Sequence, residues 1–238
     1  MGYDKVVSLT SRLSCRVWGV RLALKDIWPS FSTSPIITHF RWSSLVEQAF
    51  DANSEIIIPK TLSVPTLRDT SSMTNAERYP PIPGLLAIHV RRGDYDKHCT
   101  HLAKNSDGFV GVTNFPEMPD QFPVLPKQGG ETTPHHFEHY RRRCYPTIEE
   151  IVKKVTAART SSAGHGISQL YIMTNGRPAF IQELKDALLS AGEWDQISSS
   201  RDLVLNWDQK FVAQAVDMIV AQRAQVFVGN GVSSPFSR

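Results

Sequence analysis

The sequence predicts an α/β protein built on a Rossmann-like parallel sheet, and three observations lead there. From residue 84 onward, short apolar runs alternate with segments whose apolar residues recur at helical spacing. That alternation is the mark of strands joined by crossover helices, which makes neighbouring strands parallel. Polarity also changes abruptly at the carboxyl ends of the runs, at His89 to Asp94, Thr174 to Asn175 and Gly229 to Ser234. In a parallel sheet these ends share one rim, where open α/β folds bind their ligands.

Taken in order, Val17, Val20, Leu24 and Ile27 lie at helical spacing, with Arg21 and Lys25 facing outward. This predicts a core-facing helix from Val17 to Trp28 stopped by Pro29. A turn-rich stretch follows. Ser44 and Glu47 then form a capping-box pattern for a helix through Leu45, Val46, Ala49 and Phe50. Ile56, Ile57 and Ile58 read as a short strand closed by Pro59, and the Pro- and Ser/Thr-rich stretch from Lys60 to Pro83 reads as a linker. A domain boundary is therefore expected at 83/84, between residues 1–83 and 84–238.

The second part opens with the break Pro81 to Gly84 and a buried strand from Leu85 to Val90. Residues 100–140 are rich in Pro and Gly and poor in apolar periodicity, which predicts a long loop beside the strand end. Thr147 with Glu150 caps a helix reaching Arg159. Leu170 to Thr174 is the next strand, and a helix runs from Pro178 to Ala191 with Gly192 after it. Leu203 to Leu205 is read as a strand, Asp208 as the cap of a helix through Phe211, Val212, Ala215, Val216 and Ile219, and Gln225 to Val228 as the last strand.

The composition is that of an ordinary globular chain: 238 residues, 41% hydrophobic and 21% charged. A net charge of +3 and a pI near 8.8 fall short of a dedicated nucleic-acid binder, so anion binding has to come from local placement. No apolar run reaches the roughly 20 residues of a membrane span, and Met1 to Ser14 lacks the apolar core of a signal peptide. There is no Asn-x-Ser/Thr sequon. Three cysteines, Cys15, Cys99 and Cys144, fit either a reduced protein or one disulfide plus one free thiol. A Cys99–Cys144 bridge would staple the two ends of the long loop.

The chemistry concentrates in LLAIHVRRGDY, Leu85 to Tyr95. His89, Arg91 and Arg92 place an imidazole and two guanidinium forks at a strand end, beside Gly93 where backbone can approach a ligand. Planar, permanently charged arginine matches the bidentate geometry of phosphate oxygens. A diphosphate-bearing ligand follows from that pairing. Arg92-Gly93-Asp94 also spells the integrin-type adhesion tripeptide, which any chain of this length can contain by accident. His98, Cys99, His101, His135, His136 and His139 are rich in metal-ligating types, but their spacing fits neither a CxxC pair nor an HExxH helix, and no metal site is expected.

HVRRGDY after a hydrophobic strand resembles the HxRRGD-type motif of the GDP-fucose protein O-fucosyltransferase family. VAQAVDMIVAQRAQVFVGNGVSS, ending at Ser234, resembles that family's C-terminal motif. The resemblance spans roughly Ser34 to Ser234. It implies the C-terminal, donor-binding half of a GT-B-type glycosyltransferase with a remnant of the N-terminal domain, holding GDP-fucose and passing fucose to Ser/Thr of a protein acceptor or to a glycan. It further implies that His89 and Arg91 hold the phosphates, with Arg91 as the catalytic group, and that Asp217, Ser233 and Ser234 contact the nucleotide; Arg92, the second fork of the same stretch, is read as a weaker substrate-binding residue, since its side chain should point the other way along the strand end. Transfer would be inverting and metal-independent, without a cofactor, in the lumen of the ER or Golgi. Two departures stand out: Pro235 follows the paired serines where the family has an aromatic residue, and the family's glycine- and asparagine-bearing turn near the start of its first domain has no counterpart. A nucleotide-sugar-binding fragment without catalysis and a non-enzymatic interaction module are the alternatives.

Overall fold

The structure, a computed structural model, describes residues 21–60, 62, 72–105 and 133–229. Helix α1 (Arg21–Ser32) and helix α2 (Ser44–Ala52) precede a nine-residue strand β1 (Ile82–Val90). Helices α3 (Tyr95–Asn105), α4 (Pro134–Cys144) and α5 (Ile148–Thr160) separate it from β2 (Gln169–Thr174). After α6 (Pro178–Ala191) come β3 (Gln196–Ser199), α7 (Ala213–Arg223) and β4 (Ala224–Val228). Helix α7 passes into β4 without an intervening residue.

All strand pairs are parallel, in the order β3-β2-β1-β4. The expected Rossmann-like parallel α/β sheet is what the chain forms. Side chains alternate across it. Leu85, Ala87, Tyr171 and Met173 face a core completed by Val46, Ala49 and Phe50 of α2 and Val216, Ile219 and Val220 of α7. Leu86, Ile88, Val90, Leu170 and Ile172 face Ile151 and Val155 of α5 and Leu184 and Leu188 of α6. A third cluster joins α3 to α4 through Tyr95, Cys99, Leu102, Ala103, Tyr140 and Cys144, with Cys99 and Cys144 bridged as a disulfide. The reading that allowed one disulfide is the one the structure adopts for this pair.

Residues 40–60 and 72–80 are fastened to this body by polar contacts as well as apolar ones. Trp42 Nε1 donates to Gln222 Oε1 (2.7 Å), whose amide nitrogen donates to Asn75 Oδ1 (2.8 Å). Glu47 is buried and accepts from Arg78 Nε (2.7 Å) and Nη2 (2.8 Å) and from Tyr79 OH (2.5 Å).

Several local expectations hold. Thr147 and Glu150 close the capping box of α5 in both directions (3.2 and 2.8 Å), and Pro178 starts α6. Others are corrected. Helix α1 continues through Pro29 to Ser32, and Ile27 is exposed rather than core-facing; Ser32 and Thr33 hydroxyls donate to the Pro29 carbonyl. Ser44 is not a capping residue, because Glu47 is turned inward to Arg78. Ile56 to Ile58 are not a strand: residues Ser54–Ile57 make a helical turn that buries Ile57 and offers its Ile56 carbonyl to Gln169 Nε2 (2.9 Å) and Ser198 Oγ (2.5 Å). Tertiary demand overrides the strand preference of three β-branched residues.

Strand β1 also begins earlier than expected, since Gly84 at φ +79° lets the chain bend within it instead of stopping it. Leu203 to Leu205 form no strand; the edge strand is Gln196–Ser199. Asp208 is not a cap, because Asn206 and Gln209 close the box (2.9 and 3.0 Å) over a single turn, Trp207–Lys210, and α7 starts only at Ala213. At either end of the expected 100–140 loop, helix replaces loop: α3 runs to Asn105, and α4 starts behind Thr133, which accepts from His136 N–H (3.1 Å).

Candidate functional site at the carboxyl rim of the sheet

Strand β1 delivers the HVRRGD stretch to the rim. The Val90 carbonyl accepts from Thr174 Oγ1 (2.6 Å), and Thr174 Oγ1 in turn accepts from Gly176 N–H (2.9 Å), so the ends of β1 and β2 are locked together. Beyond them the chain turns through Gly93, whose φ of +72° belongs to the left-handed region that suits glycine.

The two arginines part company here. Arg91 stays at the surface, its side chain 37% exposed, 3.6 Å from an Asp94 oxygen and 5.9 Å from the Tyr95 ring centre. Asp94 is 82% exposed, so this pair is water-screened and leaves the guanidinium able to meet a ligand. Arg92 is buried, its guanidinium between the rings of Tyr145 and Phe180 at 4.4 Å from each centre, and its Nη2 donates to the Pro146 carbonyl. Burial lowers its pKa, with Tyr145 acting in the opposite sense.

His89 lies half-buried on the face of β1 that carries Leu85 and Ala87. Burial first, and then the charge of Arg91, push its pKa down to about 4, so the imidazole is neutral at physiological pH. A neutral imidazole can still donate one hydrogen bond to an anion without bringing a second charge.

Asp217, on α7, reaches the sheet above β2. It accepts from Tyr171 OH (2.8 Å) and Ser200 Oγ (2.9 Å), while Ser200 Oγ accepts from Thr174 N–H (3.1 Å). Burial pushes the Asp217 carboxyl up to about 6, against the two hydroxyls that favour its charged form. Neither donor is cationic. Each carboxylate oxygen keeps a further lone pair for a hydroxyl or N–H of a ligand.

The structure thus brings His89, Arg91 and Asp217 to one rim, sends Arg92 inward, and gives the rim Asn175 and Ser200 in addition. Ser233 and Ser234 lie outside the described residues. Nothing in the sequence marks Ser200, because the strand before it, QISS, has no hydrophobic run to announce it; Tyr171 reads as one more apolar strand residue, yet its hydroxyl bonds Asp217. Among the described residues no three His, Cys, Asp or Glu side chains converge in a way that could hold a metal ion. No helix of the described residues is long and apolar enough to cross a membrane.

A family model described as GDP-fucose protein O-fucosyltransferase matches residues 22–238. The chain belongs to that family. Two solved structures to which it is similar are of POFUT1 in complex with GDP, one a high-resolution dataset and one a third crystal form. The first has 13% identity and a TM-score of 0.48, with 83% of this chain and 43% of the other covered; the second has 13% identity and a TM-score of 0.47, with 82% and 42% covered. The chain spans less than half the length of POFUT1 as it stands in these two structures.

Proposed function

We propose that the carboxyl rim binds GDP-fucose and that the chain is the donor-binding portion of a protein O-fucosyltransferase. The observation that carries this is Arg91: in a chain of this family, it is a half-open guanidinium on a fixed turn at the end of a central parallel strand. Arg91 neutralises the β-phosphate as the C1–O bond breaks, and His89 donates to the same diphosphate from its neutral imidazole. Asp217, Ser233 and Ser234 hold the nucleoside part. Arg92 serves the site from within, through the turn. Charge grows on the leaving diphosphate in the transition state, so a preorganised arginine acts there more strongly than in the ground state. The transfer inverts the anomeric centre and uses no metal, the acceptor is a Ser/Thr hydroxyl of a protein, and the buried Cys99–Cys144 bridge suits a lumenal address.

Calorimetry with GDP and GMP tests the binding. GDP is expected to bind more tightly, and Arg91→Ala to weaken GDP by about 1.5–3 kcal/mol, the scale of a hydrogen bond to a charged group, with GMP nearly unchanged. Equal losses for both nucleotides would make Arg91 a structural residue. Turnover of GDP-fucose with and without a chelator tests the transfer and its independence of metal.

A further inference from the structure

One side chain holds the turn that presents Arg91. Asn175, the first residue after β2, turns both ends of its amide on the backbone of Arg92: Oδ1 accepts Arg92 N–H at 2.7 Å, and Nδ2 donates to the Arg92 carbonyl at 3.0 Å. Backbone pairing between β1 and β2 ends at Val90 and Thr174, so an amide side chain takes over at the point where the ladder stops. Asn175 meets both the donor and the acceptor of one residue, as a neighbouring strand would. Gly93 lies close enough that a Cβ there would sit 3.5 Å from Asn175 Nδ2.

Arg92 is thereby fixed twice, through its backbone by Asn175 and through its side chain by Tyr145, Phe180 and the Pro146 carbonyl. The residue before it has little freedom left in its Cα position. Among the described residues, the side chain of Arg91 meets Asp94 through an exposed 3.6 Å contact and approaches the Tyr95 ring, neither of which clamps it, so its aim is set by the backbone that carries it. Holding a turn in its binding geometry in advance removes an ordering cost from association.

From this we infer that Asn175 is a positioning residue for diphosphate recognition: it aims Arg91 without itself needing to touch the ligand. The inference rests on the reading of the rim as a GDP site. Asparagine suits the task because an aspartate of the same size could accept from Arg92 N–H but would press a carboxylate oxygen against the Arg92 carbonyl.

The test is a double-mutant cycle by calorimetry on the full chain, with Asn175→Ala, Arg91→Ala and the double variant each titrated with GDP and GMP. Amide exchange at Arg92 and Gly93 is followed in parallel. Asn175→Ala is expected to weaken GDP about tenfold and GMP less than about twofold, and to cause no further loss of GDP affinity once Arg91 is alanine, since coupled residues are non-additive. The Arg92 and Gly93 amides should exchange faster in Asn175→Ala. Losses that add in full in the double variant, or that fall equally on GDP and GMP, would overturn the inference and leave the GDP site standing. Failure of the unsubstituted protein to bind GDP would overturn the diphosphate reading and this inference with it. If Asn175→Ala does not fold, Asn175→Asp takes its place in the cycle with the same expectation.

Discussion

Removing the Cys99–Cys144 bridge, by replacing both residues with alanine, should lower the stability of the folded chain by about 4 kcal/mol. The figure follows from the 45-residue separation of the two cysteines, through the chain entropy that a cross-link of that span removes from the unfolded state. Alanine is the right replacement, because both sulfurs are buried among Tyr95, Leu102, Ala103 and Tyr140, and a serine hydroxyl there would add a desolvation cost of its own. Urea unfolding followed by fluorescence, for the native and the doubly substituted chain in the same buffer, gives the difference directly. Non-reducing peptide mapping should recover the two cysteines as one cross-linked species from oxidised material. A loss of less than about 1 kcal/mol would refute the reasoning, since it would mean that the unfolded chain gains almost no freedom when the bridge is cut. Recovery of both cysteines as free thiols from secreted protein would remove the bridge and its support for a lumenal address.

Glu47→Ala should cost about 3–5 kcal/mol by taking the facing carboxylate away from the buried Arg78 guanidinium, read by the same denaturation assay. Burial raises the Glu47 carboxyl, but the bonds from Arg78 and Tyr79 outweigh it and hold it below its ordinary value; this contribution is therefore present above about pH 4.5 and fades on further acidification. Asp217 behaves in the opposite sense. With its pKa raised to about 6 it binds a proton more tightly when folded, so stability should fall as pH rises from about 4 to 6, by at most about 3 kcal/mol, and Asp217→Asn should flatten that slope in denaturation midpoints taken across the range. Arg92→Lys should cost about 1–3 kcal/mol in melting experiments, because an ammonium cannot lie flat between Tyr145 and Phe180.

The elements that could be read from the sequence are those whose local signals agree with their tertiary role. Strands β1 and β2 are apolar on both faces because helices cover both, and α5 and α6 carry their own start signals in Thr147–Glu150 and Pro178. Strand β3 has a single aliphatic residue, Ile197, among Gln196, Ser198 and Ser199, so no hydrophobic run announces it. Ile56 to Ile58 announce a strand, but the chain there makes a helical turn whose Ile56 carbonyl is taken by Gln169 and Ser198. Of the rim residues, pattern and resemblance name His89, Arg91 and Asp217, and alternation along the strand end already turns the Arg92 side chain away from that of Arg91, but the contacts that fix Arg92 could not be read. They depend on Tyr145 and Phe180, which lie more than fifty residues away, and on an asparagine whose role is to bond backbone.

The direct passage from Arg223 to Ala224 makes the last helix and last strand a single rigid lever. Adding or removing one residue there would rotate the helix by about 100° relative to its neighbours, or turn every β4 side chain to the opposite face. Neither change could be absorbed, since Val216, Ile219 and Val220 are packed on one side of the junction and β4 is registered against Leu86 to Ile88 on the other. Length variation between relatives should therefore be absent at residues 213–228 and should collect in the segment between α3 and α4, whose flanks are already joined by the disulfide. An alignment of family members, scored only for where gaps fall, would show whether the chain has been edited along that division.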